Sequence, residues 1–223
     1  MRLLSTKILS QNFRERILMH KFSLVEQAFI KISFLENPKI DGIFDRLIFT
    51  SQNAVNAVFS SPKIQKMMEG KRLYCVGKKT ASLLAENGQK VAKVAQNSLE
   101  LAHFLAKNYQ NEPFSYFCGN LRTPDLEEIL PVRGMHIKPI EVYATHLQDH
   151  TVEGHFDGIL FFSPSGVRGY AQSNGFENVH SFCLGNSTAK EVALHTSQYT
   201  VAKEPSESQL FLSLKNHITL HEE

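Results

Sequence analysis

Nowhere does the 223-residue chain hold the roughly 18 consecutive apolar residues that a membrane-spanning helix requires, so a membrane is not an expected partner. The N-terminal MRLLSTKILSQNF has no long apolar stretch followed by a small-residue cleavage site, and no signal peptide is expected. Cysteine is scarce. Cys75, Cys118 and Cys183 stand far apart, each in an apolar run that reads as a buried strand. Three such thiols form neither a disulfide framework nor a zinc pattern; reduced, structural cysteines of a cytoplasmic protein are expected. A dominant charge is lacking too. Lys and Arg number 24 against 22 Asp and Glu, and the basic residues are scattered, so nucleic acid is not expected as a partner.

Nucleotide, hydrolase and metal signatures are also missing. Val76-Gly77-Lys78-Lys79-Thr80 has the end of a phosphate loop, but Arg72 stands where its first glycine should be, and no G-x-G-x-x-G occurs. Ser163 precedes Pro164 without a surrounding G-x-S-x-G, which argues against a hydrolase nucleophile. His146 and His150 stand four apart with His155 nearby, a spacing that could serve a metal on a helix. They lack the glutamate of a zinc protease and fall in a polar connecting stretch, so solvated histidines are expected.

What the chain does contain is an echo of itself. DRLIFTSQNAV at 45–55 returns as DGILFFSPSGV at 157–167, and YCVGKKTA at 74–81 returns as FCLGNSTA at 182–189. Ser51 and Ser163 are 112 positions apart, Thr80 and Thr188 108 apart. Two echoes at nearly one offset mean duplication of a domain-sized unit. About 110 residues per copy suffice for a small α/β domain with its own core.

Short runs rich in β-branched and aromatic residues alternate with helical patterns, the signature of α/β layering. The first copy predicts strands near 46–50, 72–76, 90–95, 114–118 and 136–143, with helices at 52–60, 78–87, 98–108 and 124–133. The second predicts strands near 158–162, 181–184 and 199–202 and helices at 165–174, 186–195 and 206–218. It is two strands short. The N-terminal piece supplies them: a strand at 3–7, a helix at 10–20 and a strand at 24–32. Residues 1–35 with 148–223 are therefore expected to form one discontinuous α/β domain, with 37–146 inserted as another. Polar, turn-rich crossings are expected near 33–44 and 144–157, and both sheets should be parallel.

Ligands of open parallel α/β sheets bind beyond the carboxyl ends of the strands. Both echoed motifs sit there. Ser51-Gln52-Asn53, Gly77 to Thr80, Ser163-Pro164-Ser165-Gly166 and Gly185 to Thr188 each follow a strand and open a helix. Such residues cap helices, and free amides at a helix start attract anions. Four of them facing one cleft would suit a polyanionic ligand.

At these residues the chain resembles the uroporphyrinogen-III synthase family. The resemblance is carried by LIFTSQNAV at 47–55, YCVGKKTA at 74–81, FCGN at 117–120, IEVYAT at 140–145, LFFSPSGV at 160–167, FCLGNSTA at 182–189 and the terminal KEPSESQLFLSL. It implies two flavodoxin-like domains joined by a two-stranded linker, acting as a monomer with no cofactor. It also implies a cyclising lyase of tetrapyrrole and heme synthesis. Such an enzyme takes hydroxymethylbilane, expels its hydroxyl as water and closes the macrocycle with ring D inverted, through a spiro-pyrrolenine intermediate. The substrate also closes unaided, without inversion. A hundredfold preference for the inverted product needs only about 3 kcal/mol of differential transition-state stabilisation. Tyr143 of IEVYAT matches the family's tyrosine at the domain junction and is the expected acid. Lys7, Ser51, Asn53, Gly77, Thr80, Gly119, Asn120, Ser163, Ser165, Gly166, Gly185 and Thr188 are expected to hold substrate carboxylates. The family often has Thr-Arg-Pro where this chain has Thr6-Lys7-Ile8, and many members have Arg at the position of Cys118. Lys7 keeps the charge as a point donor. The alternative from another class is a non-catalytic two-domain sensor of tetrapyrroles or polyanions.

Overall fold

A computed structural model describes residues 1–219. In chain order the elements begin β1 (Arg2–Ser5), α1 (Gln11–Met19), β2 (Ser23–Glu26), β3 (Ile30–Phe34), β4 (Arg46–Phe49), α2 (Gln52–Phe59) and α3 (Pro62–Met67). There follow β5 (Arg72–Val76), α4 (Lys78–Glu86), β6 (Val91–Ala95), α5 (Ser98–Asn108), β7 (Phe114–Gly119), α6 (Asp125–Val132) and β8 (Ile137–Leu147). The last are β9 (Gly158–Phe161), α7 (Pro164–Ala171), β10 (His180–Cys183), α8 (Asn186–Val192), β11 (Tyr199–Val201) and α9 (Glu207–Thr219). The chain divides into two compact units, Met1–Lys31 with the chain from His146 onward, and Ile32–Thr145.

The first unit holds a five-stranded sheet in the order β11-β10-β9-β1-β2, paired in parallel throughout. The second holds the order β3-β8-β7-β4-β5-β6, in which β8 through β6 pair in parallel. Counting each repeat from its echoed strand, β4 or β9, both sheets read 3-2-1-4-5. The expectation of parallel, flavodoxin-like α/β sheets holds: numbered in chain order, the first unit's strands run 2-1-3-4-5, the flavodoxin-like order, and the second unit's order is a circular permutation of it. In the first unit β1, α1 and β2 take the places that β7, α6 and β8 take in the second.

Central strands are buried on both faces, so they read as continuous apolar runs. Leu47 and Phe49 of β4 pack into one core with α2, while Ile48 between them joins Leu101, Leu105 and Leu126 on the opposite face. The first unit repeats the pattern, with Leu4, Ile159 and Phe161 on one side and Leu3, Leu160 and Phe182 on the other. Each sheet is thus the middle layer of an α/β/α sandwich. Burying such a side chain fully stabilises by about 1.5–3 kcal/mol.

Three elements depart from the sequence reading. The strand expected at 24–32 is two strands in different sheets, β2 and β3. Between them the chain turns at 27–29, where Gln27 donates to the Ser5 carbonyl at 3.0 Å and Phe29 is fully buried. Helix α3 was not expected; Pro62 at its start and Ile64 in the core make a short turn of helix out of a polar stretch. Strand β8 continues to Leu147, past the expected end at 143.

Candidate active site

Each sheet reverses direction of growth beside its echoed strand, between β4 and β7 in one unit and between β9 and β1 in the other. The loops leaving those strands diverge at such a point and open a crevice for a ligand. In the second unit they bring together Ser51, Gly119, Asn120 and Tyr143. In the first they bring together Thr6, Ser163, Ser165 and Gly166.

Tyr143 lies on β8 and is only 7% exposed. Its register partner is Gly119, and the pairing shifts between Cys118 and Gly119: Cys118 faces Glu141, but Gly119 faces Tyr143. One extra residue, Val142, is accommodated on β8, and both Val142 and Tyr143 reach the same core. The Ser51 side chain acts on the phenol, favouring its ionised form. Burial raises the phenol pKa above 10.0, a larger effect than the lowering by Ser51. The group is therefore a neutral proton donor at physiological pH.

Ser51 is also the N-cap of α2, accepting from the Asn53 amide at 3.1 Å. Asn53 stands in the first turn of that helix, half-buried. Asn120 is spent on the backbone: its Nδ2 donates to the Thr145 carbonyl at 3.2 Å and its Oδ1 accepts the Thr145 amide at 2.7 Å. It clamps the strand two residues beyond Tyr143. Gly77 takes φ 84°, a left-handed conformation that favours glycine, and starts α4, where Thr80 is buried. These two stand one strand further out, after β5.

In the first unit Ser163 caps α7, accepting from the Gly166 amide at 3.1 Å, and its hydroxyl lies 3.1 Å from that of Ser165. Gly166 packs beside Thr6, whose hydroxyl donates to the Leu160 carbonyl at 2.9 Å. Lys7 stands over the Phe162 ring and pairs with Glu207 at 3.0 Å. Its charge is thereby balanced within the protein. Gly185 is in extended backbone before α8, with Thr188 buried one turn in.

One neighbour escaped the sequence reading. Arg122 donates from Nε and Nη2 to Glu127 at 2.7 and 3.0 Å, and from Nη1 to the Gly119 carbonyl at 2.9 Å and Glu141 at 2.8 Å. These carboxylates, more than burial opposes, raise its pKa. The guanidinium ties the end of β7 to β8. No linear spacing marks this group, because its partners lie on three different elements.

The expected decoys behave as solvated or packing groups. His150 packs edge-on to Phe29, His155 lies 3.6 Å from Asp157, and no group of metal-ligating side chains occurs among the described residues. Cys75, Cys118 and Cys183 are buried and free, with thiols pushed by burial to about 11, 12 and 12. Concavities of about 250 and 370 Å³ lie at the amino ends of the strands, one beside Gly154 and Phe156, the other beside Arg46 and Arg72. Neither includes a candidate residue.

Doubly wound parallel sheets with polar groups beyond the carboxyl ends of their strands belong to the class of α/β proteins that bind ligands at the switch point. The family model described as "Uroporphyrinogen-III synthase HemD" matches residues 12–211, and the chain belongs to that family. Its members cyclise hydroxymethylbilane, a lyase reaction of porphyrin and heme biosynthesis. Among solved structures, the chain is similar to uroporphyrinogen-III synthetase from Helicobacter pylori, at 22% identity and TM-score 0.69 over 99% of this chain and 100% of that one. It is similar also to a mutant uroporphyrinogen III synthase from the extremely thermophilic bacterium Thermus thermophilus, at 14% identity and TM-score 0.70, with 98% of each chain covered. Curated proteins yielded no match. Among the described residues no helix is long and apolar enough to cross a membrane.

Proposed function

We propose that Tyr143 is the acid that expels the hydroxyl of hydroxymethylbilane. The observation that carries this reading is the buried phenol at the β4/β7 switch point, held neutral beside Ser51. The pyrrole nitrogen lone pair pushes out the hydroxyl as the phenol gives it a proton; the C–O bond breaks and water leaves. The substituted α-carbon of ring D attacks the resulting cation and forms the spiro-pyrrolenine. The bond from that carbon to the ring C bridge then breaks, the freed bridge cation joins the other α-carbon of ring D, and the proton released on rearomatisation restores the phenol. The loops after β4, β5, β9 and β10 bind substrate carboxylates through Ser51, Asn53, Gly77, Thr80, Ser163, Ser165, Gly166, Gly185 and Thr188, largely by backbone amides. Lys7 and Asn120 act through the contacts they already make, steadying the loop after β1 and the end of β8.

The units, 1–31 with 146 onward and 32–145, support the discontinuous-plus-inserted arrangement expected as 1–35 with 148–223 and 37–146, with the first crossing falling inside β3. A cytoplasmic location is consistent with three buried, free thiols, and the monomer is proposed on the resemblance alone. Changing Tyr143 to Phe removes the proton and keeps the ring. Type III product should fall by roughly tenfold to a hundredfold, with type I rising as unaided closure captures released substrate. Folding stability should stay within about 1 kcal/mol. Wild-type output of type III from a folded Tyr143→Phe protein would remove the acid role.

A further inference from the structure

Gly119 has a feature that carboxylate binding does not explain. Its φ is not in the left-handed region, so the backbone there would accept any residue. Space is what forbids one. A β-carbon at position 119 would lie 2.5 Å from Cε2 and Cζ of Tyr143 and 2.9 Å from its hydroxyl. Heavy atoms do not approach so closely, and the atoms met are the far end of a side chain rather than backbone. The ring would swing aside and the strands would stay.

Everything around this contact fixes the same ring. The register shift opposite Gly119 turns Tyr143 toward the core shared with Phe49 and Phe117. Arg122 holds the Gly119 carbonyl, and Asn120 holds Thr145. Ser51, beyond the carboxyl end of β4, acts on the hydroxyl from the neighbouring strand end. We propose that Gly119 is a positioning residue: the missing side chain is the seat on which the Tyr143 phenol rests, aimed at Ser51 and the switch point. This inference rests on Tyr143 being the acid and assigns Gly119 a role distinct from binding substrate.

Four proteins test it: the wild type, Gly119→Ala, Tyr143→Phe and the double variant, each assayed for type III and type I isomers. Gly119→Ala alone should lower type III formation on the order of tenfold to a hundredfold, the scale of a misplaced catalytic group. The double variant should be no slower than Tyr143→Phe, because a seat matters only while the phenol is there. Full activity in Gly119→Ala, or losses that multiply in the double variant, would overturn the proposal. Should Gly119→Ala fail to fold, Tyr143→Ala removes the ring. Recovery of Gly119→Ala in that background supports the seat, and failure to recover overturns it. A fully active Tyr143→Phe would instead sink the acid role. The ¹³Cζ resonance of Tyr143 then reads position by itself, and a resonance unmoved by Gly119→Ala would overturn the seat.

Discussion

Tyr143, Cys75, Cys118 and Cys183 share a physical condition: each is a weak acid kept neutral by burial. Their folded pKa values lie above the ordinary 10.0 of a phenol and 9.0 of a thiol, so the unfolded chain loses protons first as pH rises. The stabilisation is fully present below about pH 9 and is withdrawn as pH climbs toward 11 and 12. Tyr74 and Tyr170, pushed by burial to about 12, add to the same slope. Urea midpoints measured from pH 8 to 11 should hold steady to about 9 and then decline. A midpoint that stays flat to pH 11 would mean that these groups ionise freely in the folded state. At this scale the sequence showed Tyr143 and Gly119 only as motif letters. Their contact depends on one extra residue at Val142, and neither alternation nor spacing reveals a register shift across two strands.

Among the elements, α7 shows how closely the layers meet. Gly169 faces the backbone of Phe29: a β-carbon there would collide with the Phe29 carbonyl oxygen, which itself accepts the Gln148 amide. Backbone cannot swing away as a side chain can. Gly169→Ala should therefore destabilise by about 1–3 kcal/mol, the range for overpacking, as read by urea unfolding. An unchanged midpoint would show that α7 can shift outward without cost. Strand-turn-helix units such as 47–55 and 160–167 were legible because cap, turn and apolar run are all local. The break at 27–29 was not. SLVE and IKISF are both plausible strands, and membership of different sheets is decided by pairing with β1 and β8, far away in the chain. Asn120 likewise looked available, since only the fold shows its amide taken up by Thr145.

For the whole molecule, the duplication is symmetric in topology and asymmetric in chemistry. Both units use the order 3-2-1-4-5 and place a capping serine, Ser51 or Ser163, beyond the first strand of the repeat. Only the second adds a phenol from its fifth strand in that count, β8; the corresponding strand of the first unit, β2, reads SLVE and ends in Glu26, which accepts from Arg14 and the Leu9 amide. A shared fold thus supplies two sets of strand-end polar groups, while the buried phenol of Tyr143 belongs to one of them. Repetition was plain in the sequence because both motifs keep nearly one offset, and the missing strands pointed to the N-terminus. The division of labour was not, because it turns on burial. The most direct measurement is the isomer ratio: purified chain is supplied with hydroxymethylbilane, the products are oxidised, and type I and type III porphyrins are resolved. Type III should dominate, with type I confined to what closes unaided. A product mixture identical to that of the enzyme-free control, from a folded chain, would contradict the function.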